Sequence, residues 1–95
     1  GHQHFRDLRE GSQIHAVEGV LIYRFSSNLF FANAGVLQQD IEQELERRGN
    51  IKAVILDASG IGSMDITAAD RIEILYKSLK EQGIRFISQS ISQIK

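Results

Sequence analysis

The chain has 95 residues, 42% apolar and 24% charged, which is enough for one small folded domain with a thin core. Its 11 Lys and Arg nearly balance 12 Asp and Glu, and the formal net charge of −1 offers no broad attraction for nucleic acid. The absence of cysteine excludes disulfides and thiolate nucleophiles. No apolar run approaches the ~20 residues that cross a bilayer, so we expect a soluble segment without direct membrane insertion.

Two β-prone segments, Ser12–Val17 and Val20–Phe25, follow a polar lead-in over residues 1–11. Between them, Glu18 and Gly19 form a turn of the kind that joins antiparallel strands, so a hairpin is predicted. The second segment carries apolar side chains at both alternating sets of positions. This pattern places it inside the sheet rather than at an edge.

Apolar residues spaced by three and four predict two amphipathic helices. The first runs from Ala34 to a stop at Gly49, and the second from Ala68 to a stop at Gly83. We interpret the acidic side chains of the first helix as a solvated face rather than an acid-base pair. These are Asp40, Glu42, Glu44 and Glu46.

Two further extended segments complete the fold. The apolar run 52–57 is typical of a parallel strand at the centre of a sheet, covered by helices on both sides, and residues 84–87 predict the last strand. The order is therefore β-β-α-β-α-β, with right-handed crossovers and a mixed sheet. We expect one α/β domain over residues 1–95, in which Gly1 and His2 are tag-like.

Two sequence segments identify a family. Residues 29–34 read Leu-Phe-Phe-Ala-Asn-Ala, and residues 57–67 read Asp-Ala-Ser-Gly-Ile-Gly-Ser-Met-Asp-Ile-Thr. With the predicted strand and helix order, they resemble a STAS domain, and more closely the cytoplasmic STAS domain that ends SulP-type anion permeases. The resemblance covers roughly residues 5–88. It implies a regulatory, protein-interaction role on the cytoplasmic side of the plasma or inner membrane, with the membrane domain of a parent transporter or other cytoplasmic proteins as partners.

The sequence departs from the family pattern in two places. In bacterial anti-sigma-factor antagonists a phosphorylated serine directly follows the loop aspartate, whereas this chain has Ile66 there. Family members also usually continue past the fourth strand, so the STAS-like fold is expected to be truncated at its C-terminus. An uncovered last strand would pair readily with another edge, and we therefore expect a homo-oligomer.

The resemblance implies an interaction loop, and the segment before the first helix offers candidate contact residues. The loop residues are Asp57, Ser59, Gly60, Gly62, Ser63, Asp65, Ile66 and Thr67, and the contact residues are Phe30, Phe31 and Asn33. Structural roles compete with this assignment, because Asp65 suits the start of a helix and Asp57 suits a turn. Of the two phenylalanines, one is expected to plug the core, and the other is either exposed as a contact or buried with it.

Catalytic and cofactor sites have weak support. Gly60 and Gly62 lie between a strand and a helix but lack the other residues of a dinucleotide fingerprint or a P-loop, so nucleotide binding stays a minority hypothesis. Of the three histidines, His2 and His4 lie at the chain terminus, and no second ligand stands at metal-ligand spacing from His15 in the sequence, so no metal is predicted. We predict no catalytic residue and no cofactor. The alternatives to a transporter module are a partner-switching regulator and a nucleotide sensor.

Overall fold

The structure, a computed structural model, describes residues 5–9 and 11–89. The elements in chain order are β1 Arg6–Arg9, β2 Ser12–Val17, β3 Val20–Phe25, α1 Phe31–Arg48, β4 Ala53–Asp57, α2 Ile66–Glu81 and β5 Arg85–Gln89. The five strands lie in chain order across one sheet. Strands β1, β2 and β3 pair antiparallel, and β3, β4 and β5 pair parallel. The predicted α/β fold with a mixed sheet is confirmed.

The β2–β3 hairpin forms where the sequence predicts it. Its register runs from Ser12 opposite Phe25 to Val17 opposite Val20. The turn between the strands has φ of 50° at Glu18 and 84° at Gly19, the left-handed backbone that a two-residue hairpin turn requires. Strand β3, rather than β4, is the middle strand of the five.

Both helices pack on one face of the sheet and against each other. That face is formed by alternate residues of the central strands, among them Leu21, Tyr23, Val54 and Leu56, all fully buried. Since β3, β4 and β5 step across the sheet in one direction, right-handed crossovers bring both helices to the same side. The prediction that β4 is covered on both faces is therefore wrong. Its Ile55 points to the opposite face, where no described helix lies.

Strand β1 is absent from the predicted order of elements, because its residues lie in the segment 1–11 that is predicted to be a lead-in. Its charged residues find partners: Asp7 accepts a hydrogen bond from Gln13 of β2 at 2.8 Å, and Arg6 donates to Glu44 of α1 at 3.0 Å. Leu8 packs against the core. The local sequence pattern of β1 is polar, and the segment forms a strand because it pairs with β2.

The acidic side chains of α1 do not form one solvated face. Glu42 and Glu46 are exposed as predicted, but Asp40 and Glu44 are buried, at 6% and 7% exposure. Asp40 accepts a hydrogen bond from the Tyr23 hydroxyl at 2.6 Å. Glu44 accepts from Arg6 at 3.0 Å, Arg47 at 2.7 Å and Arg48 at 3.1 Å. Burial of these carboxylates is tolerated because each has donors within reach.

A glycine follows the end of each helix, as predicted: Gly49 is the C-cap of α1, and Gly83 comes directly after Gln82, the C-cap of α2. Gly49 has φ of 77° and donates its N–H to the Leu45 carbonyl, and Gly83 has φ of 79° and donates to the Lys80 carbonyl. The last strand is Arg85–Gln89, slightly later than the predicted 84–87. Within the described part of the chain, neither helix is long and apolar enough to cross a membrane.

Candidate functional site

Two loops meet at the carboxyl ends of the parallel strands β3 and β4, where open α/β sheets usually place their sites. We call residues 26–31 and 58–67 together the loop platform. Leu29 and Met64 form a parallel bridge between the loops, and the Leu29 N–H donates to the Ser63 carbonyl at 2.8 Å. The Asp65 N–H donates back to the Leu29 carbonyl at 3.1 Å. The two segments that identify the family thus form one surface.

The glycines of the second loop permit its close approach to the first. An added Cβ at Gly60 would stand 2.7 Å from Ser26 Oγ and 2.9 Å from Ser26 Cα, and one at Gly62 would stand 2.9 Å from Asn28 Oδ1. None of these three distances is acceptable for nonbonded atoms. The contact between the loops accounts for both glycines without a phosphate ligand.

The two glycines should differ in their tolerance of alanine. Gly60→Ala is expected to destabilise the domain by about 2 kcal/mol, since the obstructing atoms include the Ser26 backbone. Gly62→Ala should be milder, because the Asn28 side chain can rotate away. Urea unfolding of the two variants measures the difference. Equal losses would contradict the role assigned to the Gly60 contact.

Asp57 is a buried structural carboxylate at the end of β4. It is 1% exposed, and its Oδ1 accepts from the Ser59 N–H at 3.0 Å and the Ser59 hydroxyl at 2.7 Å. Its Oδ2 accepts from Arg24 Nε at 3.1 Å. The turn-forming role considered from sequence is present, and the arginine partner adds to it. A lone charged residue within the apolar strand β3 is a sequence signal that could have predicted this ion pair.

Asp65 begins helix α2, as its sequence position suggests. Its Oδ1 accepts from the Ala68 N–H at 2.9 Å and from the Thr67 hydroxyl at 2.8 Å. These two hydrogen bonds, outweighing a slight desolvation, hold the Asp65 pKa below its ordinary value. The Thr67 hydroxyl is therefore engaged by a neighbouring anion, and Ile66 between them has no hydroxyl.

The platform phenylalanines differ from expectation, because both are exposed. Phe30 is 49% exposed and Phe31 is 56% exposed, while Leu29, at 2%, fills the core position before α1. The helix starts at Phe31, earlier than the predicted Ala34. The Asn33 side chain explains this start, since its Oδ1 accepts from the Phe30 N–H at 2.8 Å in the manner of one arm of a capping box.

Phe31 is held in place although it is exposed. The Arg71 guanidinium of α2 lies 4.7 Å from the centroid of its ring, within cation–π range. Arg71 lies against Gly35 of α1, where an added Cβ would come within 3.3 Å of the guanidinium. The same residues line a groove of about 530 Å³ between the helices. No sequence pattern singles out Arg71, because its role depends on helix packing.

Exposed apolar area is concentrated on the loop platform. Four of the seven large apolar side chains that the described part of the chain exposes are here: Phe30, Phe31, Met64 and Ile66. Ile66 is the most exposed of them, at 78%. Polar residues surround the set, including Asn28, Ser63 and Asp65. An apolar centre with a polar rim on a rigid scaffold suits protein contact.

Acid should destabilise the domain through Glu44 and Asp57. Burial would raise the pKa of each, but hydrogen bonds outweigh it: those from Arg47, Arg6 and Arg48 at Glu44, and those from Ser59 and Arg24 at Asp57. The folded-state pKa values therefore lie below the ordinary ones. Such carboxylates stabilise the fold fully above the unfolded pKa, and the stabilisation is lost as the pH falls through the folded pKa.

We expect the free energy of unfolding to begin falling below the ordinary glutamate pKa of 4.5. Urea titrations at several pH values measure the decline. In Glu44→Gln the unfolding free energy should fall less steeply with decreasing pH, because the variant lacks one of the carboxylates whose protonation favours unfolding. An unchanged slope in Glu44→Gln would contradict the contribution assigned to this carboxylate.

Metal binding finds no support in the described residues. Among residues 5–9 and 11–89, no three His, Cys, Asp or Glu side chains stand close enough to hold an ion. His2 and His4 lie outside that part of the chain, and the His15 ring lies 5.5 Å from the Phe5 ring.

Comparison with known proteins gives one family. The STAS domain profile matches residues 12–93. The chain is 27% identical to sulfate transporter 1.2 of Arabidopsis thaliana, with 87% of the chain and 14% of the transporter aligned. The chain thus spans about a seventh of that relative's length.

Two solved structures share the fold. The murine solute carrier 26 family member A9 anion transporter, in its inward-facing state, superposes with a TM-score of 0.64 and 24% identity, over 76% of this chain and 12% of the transporter. An anti-sigma-factor antagonist STAS domain from Rhodobacter sphaeroides superposes with a TM-score of 0.66 and 16% identity, over 90% of each chain.

Proposed function

The chain belongs to the STAS domain family, and on that basis we propose that it is a non-catalytic, regulatory protein-interaction module of a SulP-type sulfate or related anion transporter. Its loop platform contacts the membrane domain of the parent transporter or another cytoplasmic protein. In this proposal the domain lies on the cytoplasmic side of the membrane. The similarity to sulfate transporter 1.2 supports the choice of parent.

The observation that carries the proposal is the exposed apolar set on the loop platform. Phe30, Phe31, Met64 and Ile66 are displayed on two loops that backbone hydrogen bonds fix to each other. A surface that is already ordered loses little conformational entropy on binding. The contact residues are thus presented for a protein partner of complementary apolar surface.

Cell fractionation tests whether the domain is part of a transporter. An antibody raised against this domain should detect a band far larger than 10.7 kDa in the membrane fraction of source cells. A soluble band near 10.7 kDa would contradict the transporter module. Neither result depends on the contacts of the loop platform. The assignment to a transporter and the assignment of the binding surface are therefore tested separately.

A partner-switching regulator is the second candidate, favoured by one observation. The Rhodobacter antagonist domain matches this chain over 90% of both lengths, as a domain of similar size would. The position of its family's phosphorylated serine is Ile66 here, and the nearest hydroxyl, on Thr67, donates to the Asp65 carboxylate. A phosphate on Thr67 would meet that negative charge. Incubation with an anti-sigma-type kinase followed by detection of phosphothreonine at this position would favour the regulator.

A further inference from the structure

A row of polar side chains crosses the sheet on the face opposite the helices. Asp7, Gln13, Arg24 and Asp57, from β1 to β4, are cross-strand partners in register, and we call them the polar row. Each neighbouring pair is hydrogen bonded. Gln13 Nε2 donates to Asp7 Oδ1 at 2.8 Å, Arg24 Nη1 to Gln13 Oε1 at 3.3 Å, and Arg24 Nε to Asp57 Oδ2 at 3.1 Å.

The row ends on the loop platform. The carboxylate of Asp57 receives Arg24 on one oxygen and both the N–H and the hydroxyl of Ser59 on the other. Ser59 precedes Gly60, whose close approach to Ser26 joins the two loops. A change in the position of the Arg24 guanidinium therefore acts directly on the carboxylate that shapes this turn.

The other end of the row is an edge strand. Among the described residues, β1 stands at the edge of the sheet and pairs with β2, and its register shifts between Asp7 and Arg9. Just before it, the Phe5 ring lies 3.9 Å from the Arg24 guanidinium carbon. The guanidinium is thus held between the N-terminal segment, Gln13 and Asp57. An edge strand with an irregular register is among the elements that open most easily.

We propose that the polar row positions residues 58–67 of the loop platform, so that the pairing of β1 with β2 sets the conformation of the turn at Ser59 through Gln13, Arg24 and Asp57. Displacement of β1 releases Arg24, loosens this turn and weakens partner binding. The consequence for binding rests on the proposed function. The positioning itself is a property of the chain alone. Arg24 and Gln13 are positioning residues, since they act on the loop through Asp57.

Amide hydrogen exchange at Ser59, followed by NMR on the 95-residue chain without a partner, tests this positioning. Asp7→Ala and Gln13→Ala should each accelerate exchange roughly five- to tenfold, because each removes a hydrogen bond that restrains the row. Asp7→Asn should retain slow exchange, since the amide oxygen still accepts from Gln13. Thermal unfolding of each variant establishes that it is folded.

Arg6→Gln is the matched control. It breaks an ion pair of the same strand, to Glu44, on the helix-bearing side of the sheet. Exchange at Ser59 should stay as in the parent chain. The proposal would be overturned if Asp7→Ala and Gln13→Ala left exchange at Ser59 unchanged, or if Arg6→Gln accelerated it equally. The exchange experiment uses no partner, so its result does not depend on the transporter assignment. A failure of that assignment would appear in the cell fractionation and leave the exchange rates as expected.

Discussion

Replacing Asp57 with alanine is expected to lower the free energy of unfolding by about 2–3 kcal/mol. The variant removes the acceptor of the Ser59 N–H and hydroxyl and the partner of Arg24. The loss should stay below the 3–5 kcal/mol typical of a broken, fully buried ion pair, since the Arg24 side chain keeps 37% exposure and can be rehydrated. Urea unfolding monitored by circular dichroism measures the change.

Asp65→Ala is the matched control, because Asp65 lies on the same platform and also accepts a backbone hydrogen bond. Its side chain is exposed, so water can replace the lost bond and the destabilisation should be smaller. From sequence alone, both aspartates are candidates for the same interaction loop. If Asp65→Ala were the more destabilising variant, the structural role assigned to Asp57 would be wrong.

Polar substitution of Ile66 is expected to weaken binding to the solubilised membrane part of the proposed parent transporter roughly tenfold or more. Ile66 is 78% exposed, so Ile66→Gln removes apolar contact area from the platform while losing little packing in the free domain. Titration of the labelled domain against the membrane part measures the affinity. Circular dichroism establishes that the variant remains folded.

Ile74→Gln is the corresponding control. Ile74 is also on α2 and is 61% exposed, but it lies outside the loop platform. Binding should be unaffected by this change. Equal loss of affinity in the two variants would indicate that the whole exposed side of α2, rather than the platform, contacts the partner.

The fold follows closely from local sequence signals where one physical effect dominates. Gly19 permits the hairpin turn, and Gly49 and Gly83 stop the helices, because glycine adopts positive φ without the steric penalty of a side chain. The spacing of apolar residues identifies both helices. It does not give their starts accurately, since α1 begins with a cap that depends on the side chain of Asn33.

The features that sequence reasoning missed depend on contacts between distant segments. The polar segment β1 becomes a strand by pairing with β2, and side-chain contacts of Arg6 with Glu44 of α1 and of Asp7 with Gln13 of β2 accompany this pairing. The sequence places Asp40 on a solvated helix face, yet its buried carboxylate accepts a hydrogen bond from the Tyr23 hydroxyl. Periodicity identifies the face of a helix, but it cannot show which polar residue on that face will find a donor.

The sequence selects the two loops of the candidate site, but it does not show how they are arranged, and their role as a site stays a prediction. The sequence resemblance selected both loops, and the structure joins them through Leu29, Ser63 and Asp65. It could not show that Phe30 and Phe31 are both exposed, because the core position is filled by Leu29. The functional roles of these residues remain predictions for the experiments above.

The most direct test of the loop platform as a recognition surface is an amide hydrogen-exchange footprint of the domain on the solubilised membrane part of the proposed parent transporter. The loop platform, residues 26–31 and 58–67, should gain protection on binding, while the surface around Gly49 at the other end of α1 should not. Protection confined to that opposite end, or to the edge of β5, with the platform unchanged would contradict the assignment of the loop platform as the site of protein recognition.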